Sequence, residues 1–227
     1  MSLNNKPAIY SSFHFSLIDK IIEKKREQIL KIIENYLNDK DINDILDIGT
    51  TEDIKSSSSN YIIKNLKNCK IYKSISNQEI SSNYFKKKLK KSITEVFSKD
   101  ELIEFTSDVV VSNATIEHVG NHENQIKMCQ NMINLSKKYF IIITPNRLHP
   151  IDFHSKLPFL HWLPKKIHRF LLFYLGFKHL SKEENLNLLS QNDLILIMKK
   201  LNHNNFIIKN IKFIFFKSNL ILIGNKN

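Results

Sequence analysis

The sequence predicts an α/β domain built on a mostly parallel sheet, and three observations carry that expectation. Two unbroken apolar runs, Val109-Val110-Val111 and Phe140-Ile141-Ile142-Ile143, are rich in β-branched residues and do not alternate with polar ones. Strands of that kind are covered on both faces. Between the runs lies a helical stretch over about residues 123–136, and a strand–helix–strand succession implies a right-handed crossover between parallel neighbours. The chain closes on two further strand-like runs, residues 206–216 and 219–223, split only by Lys217-Ser218. So short a link implies an antiparallel hairpin. Each central run stops in a polar loop, Asn113-Ala114-Thr115-Ile116-Glu117-His118 after the first and Pro145-Asn146-Arg147 after the second. Ligands of open α/β sheets bind at the carboxyl ends of the strands, so the chemistry is expected in these loops.

The elements follow in order. An amphipathic N-terminal helix covers about residues 13–37, with Leu17, Ile21, Ile22, Leu30, Ile33 and Leu37 near helical spacing. An Asn/Asp-rich link ends it. Ile45-Leu46-Asp47-Ile48 reads as a short strand, followed by Gly49 and a loop. Residues 60–66 read as a helix, with the serines at 56–59 as N-cap candidates. A second strand is expected over 69–75 and a third, edge-like strand over 92–97; the Lys-rich stretch 78–91 is ambiguous. Residues 148–184 differ in kind. They hold Pro150, Pro158, Pro164 and Trp162, and are too long for a simple connection, so they predict a small lid insertion. A helix over 193–201 precedes the terminal hairpin.

Length and composition set the bounds. At 227 residues the chain is expected to form one domain, 1–227. Cys69 and Cys129 stand far apart and form neither a zinc motif nor a disulfide framework, so a reducing cytoplasm is the expected setting. The N-terminus carries no apolar signal core, and no stretch reaches the ~18 apolar residues of a membrane span. The net charge is +12, but the excess is nearly all Lys, and Arg occurs only at Arg26, Arg147 and Arg169. Arg is the usual choice for bidentate phosphate and base contacts, so the charge reads as a basic solvated surface and not as a nucleic-acid site. The cluster Lys86-Lys87-Lys88 with Lys90-Lys91 reads as an exposed helix face.

Asp47-Ile48-Gly49-Thr50-Thr51 followed by a Ser-rich turn is a ligand-binding arrangement, in which Gly49 lets the backbone approach a ligand closely. The dinucleotide fingerprint G-x-G-x-x-G is absent, since Thr51 and Ile54 stand at its later glycines. Alone, the loop reads equally as an ordinary strand-to-helix turn. Taken with residues 108–120, with Thr144-Pro145-Asn146-Arg147, with Ser58-Ser59-Asn60 and with the Pro/His/Trp succession to Pro164, the chain resembles the class I S-adenosylmethionine-dependent methyltransferases. It is most similar to their type 11 group, and to a bacterial branch with a single-Gly first loop. The resemblance runs from about Asp44 to the C-terminus. It implies a Rossmann-like seven-stranded sheet, order 3-2-1-4-5-7-6 with strand 7 antiparallel, in agreement with the terminal hairpin. It also implies S-adenosylmethionine across the ends of strands 1, 2 and 4. Asp47, Gly49, Thr50 and Thr51 would line its methionine part, Ser59 and Asn60 would hold its carboxylate, and Asn113 and Ala114 would face the methyl-donor side. The family usually ends strand 2 with an acid on the ribose hydroxyls. Asn77 stands there instead, so it takes that contact without a carboxylate's charge assistance, or the contact is missing.

Methyl transfer from a sulfonium needs alignment, and a proton acceptor when the nucleophile is an alcohol. His154 with Asp152 is the first choice of catalytic pair, the alternative being a loop pair that fixes the lid. His149, Asp152 and His154 lack a fourth ligand or a motif spacing, and Gly120-Asn121 separates His118 from His122, so no metal is expected. Glu117-His118 reads as a helix-start acid and a His packed beside the cofactor. Phe153, Phe159 and Trp162 either stack on an acceptor or pack the lid. Residues 164–177 are basic and apolar, as a lid helix or a peripheral membrane contact would be. The expected function is methyl transfer to a small-molecule or saccharide acceptor at oxygen. The alternative is a catalytically degenerate domain of this fold acting as a binding or assembly partner.

Overall fold

The computed structural model describes residues 16–52, 60–66, 69–213 and 215–226. In chain order its elements are α1 (Ser16–Leu37), β1 (Asp44–Ile48), α2 (Tyr61–Asn65), β2 (Ile71–Ser76), β3 (Lys87–Lys90), α3 (Lys99–Phe105), β4 (Ser107–Asn113), α4 (His122–Leu135), β5 (Ser136–Pro145), α5 (Lys165–Tyr174), α6 (Gln191–Lys200), β6 (Phe206–Phe213) and β7 (Phe216–Asn225). The strands form one sheet in the order β3-β2-β1-β4-β5-β7-β6. β3 through β5 pair in parallel, while β7 is antiparallel to both β5 and β6. This is the Rossmann-like methyltransferase topology expected above.

Unbroken apolar runs form these strands because both faces are covered. All five residues of β1 are buried. Side chains alternate between faces along a strand, and the core divides accordingly. Leu46, Val110, Ile142 and Leu222 pack on one side with Met128, Met132, Leu194 and Ile197 of α4 and α6. Ile45, Val109, Ile141 and Ile223 pack on the other with Ile29, Ile33, Ile62 and Ile63 of α1 and α2. Gly224 in β7 makes room for the fully buried Phe140, because a Cβ there would lie 2.1 Å from the ring's Cζ. The amino ends of the strands are tied by charge. Lys73 Nζ lies 2.8 Å from Asp44, and Asp44 Oδ1 accepts from Asp108 N at 2.9 Å.

Three local expectations are corrected. The third strand is Lys87–Lys90, inside the ambiguous Lys-rich stretch, and residues 92–97 form no strand, with a turn over 93–95. Its residues alternate between half-buried and exposed, and lysines on a sheet edge discourage pairing with another chain. Hence the lysine cluster is largely an edge strand and not a helix face. The hairpin turn falls before Phe216, so Lys217 and Ser218 lie within β7, where Ser218 Oγ donates to Ile211 O. Helix α3, not expected, is set by a capping box in which Ser98 accepts from Glu101 N and Glu101 accepts from Ser98 N.

Candidate functional site

Two adjoining clefts open at the carboxyl ends of β1, β2 and β4. The larger, ≈ 370 Å³, is lined by Ile75, Ser76, Asn77, Ser92, Ile93 and His118 among others. The smaller, ≈ 220 Å³, lies toward α1 and α2 and is lined by Arg26, Asp47, Asn60 and Asn113. Ile48, Gly49, Thr51 and Ala114 line both, so the clefts meet over the first loop. Their position is that of a ligand groove in an open α/β sheet.

The expected cofactor residues divide by location. Asp47 reaches the smaller cleft from a 7% exposed position. Burial raises its carboxyl to about 6, against the lowering effect of a hydrogen bond from Thr50 Oγ1 at 2.6 Å. Among the described residues it forms no ion pair. Thr50 itself is 2% exposed and lines neither cleft. It also accepts from Ser74 Oγ, and its carbonyl accepts from Ser76 Oγ. In this structure its side chain holds Asp47. Thr51 is exposed and lines both clefts, and Asn60 clamps it. The Asn60 amide accepts from Thr51 N at 3.0 Å and donates to Thr51 O at 2.8 Å. With its side chain so engaged, Asn60 orders the loop while lining the smaller cleft. Ser59 lies outside the described residues. Asn77 is exposed at the mouth of the larger cleft, as a substitute for the missing acid would be.

Gly49 is needed, for a reason the sequence does not reveal. Its φ is +85°, and a Cβ would meet Thr115 Oγ1 at 2.2 Å. The space beside it is filled by the Thr115 side chain, whose Oγ1 donates to Ile48 O at 3.3 Å. The expectation that Gly49 makes room for a ligand is corrected to that extent, although its backbone still lines both clefts. Across from it, Ala114 has φ 54° and donates to Ile143 O at 2.8 Å. A left-handed Ala costs roughly 1–2 kcal/mol, and such strain gathers at ligand sites.

His154 and Asp152 meet as expected, with unequal roles. Asp152 is 3% exposed and accepts from His154 N, Ser155 N and Ser155 Oγ, with His154 Nδ1 at 3.3 Å. Burial pushes its carboxyl up, but these donors and the His154 charge prevail and hold it well below the usual carboxylate range. Burial also disfavours the charged His154, yet the Asp152 hydrogen bond and the Glu117 charge raise it above the ordinary histidine value. Asp152 thus positions His154 from behind. The His154 Nε2 faces His118 Nε2 at 3.2 Å and Glu117 Oε1 at 3.8 Å, and His118 lines the larger cleft.

Sequence reasoning missed this meeting of His118 with His154, and missed Arg26. It had set His118 against His122. Glu117-His118 at the end of β4 was a visible signal; Arg26 on α1 gave none. His149 turns away, its Nδ1 2.9 Å from Ile151 O and its ring stacked on Phe153. Phe153 therefore belongs to lid packing, whereas Phe159 and Trp162 form an edge-to-face pair and are 54% and 45% exposed. The insertion and the residues just after it are fastened by main-chain oxygens. Arg147 donates to His161 O and Leu163 O, His118 Nδ1 to Asn185 O, and Gln125 Nε2 to Asn187 O.

No family model matches the sequence, and no curated protein matches it. Solved structures share its fold. Magnesium protoporphyrin IX methyltransferase from Synechocystis PCC 6803, solved with bound S-adenosylmethionine, superposes with a TM-score of 0.55 at 11% identity, over 97% of this chain and 88% of that one. A SAM-dependent methyltransferase from Archaeoglobus fulgidus gives 0.54 at 13% identity, over 94% and 100%. The 1,6-didemethyltoxoflavin-N1-methyltransferase from Burkholderia thailandensis gives 0.54 at 10% identity, over 96% and 85%. At these identities the likeness establishes the fold.

Proposed function

We propose that this protein is a class I S-adenosylmethionine-dependent methyltransferase acting at oxygen on a small-molecule or saccharide acceptor. The observation that carries the reading is the two-lobed groove over Gly49 and Ala114 with the buried Asp47 carboxylate in its smaller lobe. A buried carboxylate that forms no ion pair among the described residues is costly, and an amino-acid ammonium in that lobe, which Arg26 also lines, would pair with it. The larger lobe offers Val119 to a flat base and Asn77 and Ser92 to hydroxyls. These residues fit S-adenosylmethionine, whose sulfonium supplies an electrophilic methyl group when bound. The chain's own task is then to align the acceptor and take its proton. Behind His118 at the wall of the larger lobe, His154 is a proton acceptor fixed by Asp152 as a base is fixed in a catalytic triad. Oxygen is favoured because a hydroxyl, unlike a free amine, must lose its proton to become a good nucleophile. The solved neighbours act on a porphyrin and a toxoflavin precursor, which supports a small acceptor. The exposed Phe159–Trp162 pair would offer an apolar face to a sugar.

A second reading, a binding domain of the same fold without catalysis, is favoured by Thr115 filling the space at Gly49 and by Asn77 in place of an acid. Calorimetric titration with S-adenosylhomocysteine separates the two. One-to-one binding is expected; no heat at millimolar ligand would leave only the second.

We assign a membrane-facing role to α5. No helix of the described residues is long and apolar enough to cross a membrane, but α5 buries His168 and Leu172 and leaves Ile167, Phe170, Phe173 and Tyr174 exposed beside Lys166 and Lys178. Apolar rings flanked by lysines fit an anionic lipid surface. The protein is expected to sediment with anionic vesicles and not with neutral ones, and the Phe170→Ser/Phe173→Ser variant to stay in the supernatant. Equal recovery of both proteins with anionic vesicles would remove this role.

A further inference from the structure

Three electron-pair donors converge at the wall of the larger cleft. Glu117 Oε1, His118 Nε2 and His154 Nε2 all lie within 4.8 Å of one another. Each is aimed by a bond at its far end. Thr144 Oγ1 donates to Glu117 Oε2 at 2.9 Å. His118 Nδ1 lies 2.6 Å from Asn185 O, a contact only an N–H satisfies. His154 Nδ1 faces the Asp152 carboxylate. In the neutral rings both Nε2 atoms are therefore lone-pair donors, and they stand 3.2 Å apart. Glu117 is fully buried, and its Oε1 has no hydrogen-bond partner.

Electron pairs so arranged repel unless a positive charge joins them. A proton on His154 answers the His118 lone pair but leaves Glu117 Oε1 beyond hydrogen-bond reach, at 3.8 Å. A metal ion gathers all three. Two nitrogens on one tetrahedral zinc, each at ~2.0–2.1 Å, stand roughly 3.3–3.4 Å apart, which matches the observed spacing. The far-end partners are those that orient histidine and carboxylate ligands in metal sites.

We propose that Glu117, His118 and His154 bind a divalent first-row transition ion, zinc by ligand type. Three protein ligands leave a fourth position open. Of the three, His118 is the exposed one and lines the larger cleft, so that position faces the cleft. The role of the site rests on the methyl-transfer reading; its existence does not. A hydroxyl bound to the ion would release its proton to solvent near neutral pH, and His154 would then serve as a ligand and not as the base.

The test uses the full chain, stripped with chelator, dialysed and titrated with Co²⁺ while its visible absorption is followed, then with Zn²⁺ in competition. One Co²⁺ per chain with a visible band, displaced by Zn²⁺, is expected. His118→Ala, at an exposed side chain, should weaken binding at least about tenfold, and Asp152→Asn about 10–100-fold, with melting checked for both. No visible band, or an affinity unchanged in His118→Ala and in His118→Ala/His154→Ala, would overturn the site. S-adenosylhomocysteine binding is measured separately on the stripped protein. Cofactor binding without Co²⁺ binding sinks this site alone, and Co²⁺ binding without cofactor binding sinks the methyltransferase reading alone.

Discussion

Changing His154 to Gln is expected to lower methyl transfer by about 10²–10⁴-fold, the usual contribution of a positioned proton-handling group. S-adenosylhomocysteine affinity should stay largely unchanged, because His154 lines neither cleft. Asp152→Asn should show a smaller loss of the same kind. It keeps the shape of the Asp152 loop but weakens the bond to Nδ1 that fixes the ring. Steady-state rates on an accepted substrate, with calorimetry and melting on the same preparations, decide the matter. A structural role would lower the melting temperature and affinity together. Full activity in His154→Gln would move the proton-handling group elsewhere.

Asp47→Asn is expected to act in two directions at once. The carboxyl is held at about 6 in the folded chain, above its unfolded value. The folded state therefore binds this proton more tightly than the unfolded state does. The resulting destabilisation is absent below the unfolded value near pH 4, grows as pH rises through 6 and is complete above it. Two pH units correspond to about 3 kcal/mol, an upper bound for what Asn recovers. Chemical unfolding should show Asp47→Asn more stable than the parent at pH 7.5 and indistinguishable from it at pH 4. Calorimetry should show S-adenosylhomocysteine binding weakened at least about tenfold, as expected when a buried charge-assisted contact is lost. If the variant loses stability at both pH values, Asp47 is a structural acid. If affinity is unchanged, the carboxylate is not what the ligand meets.

The sheet was legible because its strands are doubly covered. Val109-Val110-Val111 and Phe140-Ile141-Ile142-Ile143 have no solvent face, so apolarity marks their extent and, by ending, their tips. The polar loop from Asn113 follows from the first of those tips, whereas Asp47, Gly49, Asn113 and Ala114 as cofactor residues come from the resemblance of their motifs. β3 was not legible, since an edge strand exposed along one side has no apolar run, and Lys87-Lys88-Leu89-Lys90 reads as surface. The inward turn of Thr50 was not legible because strand alternation alone does not reveal whether a residue past the last paired position turns in or out. Here Ser74 and Ser76 on β2 draw it inward. The approach of His118 to His154 was invisible for another reason. It joins positions 36 residues apart through an insertion of no regular period.

The fastening of that insertion and of the residues just after it has a consequence for how the protein could change. Arg147, His118 and Gln125 hold carbonyls of residues 161, 163, 185 and 187, and a carbonyl is the same whatever side chain sits beside it. Substitutions along this flap can therefore reshape what it admits without loosening its moorings. What the flap admits can therefore change while the cleft over Asp47 and Gly49 is left untouched.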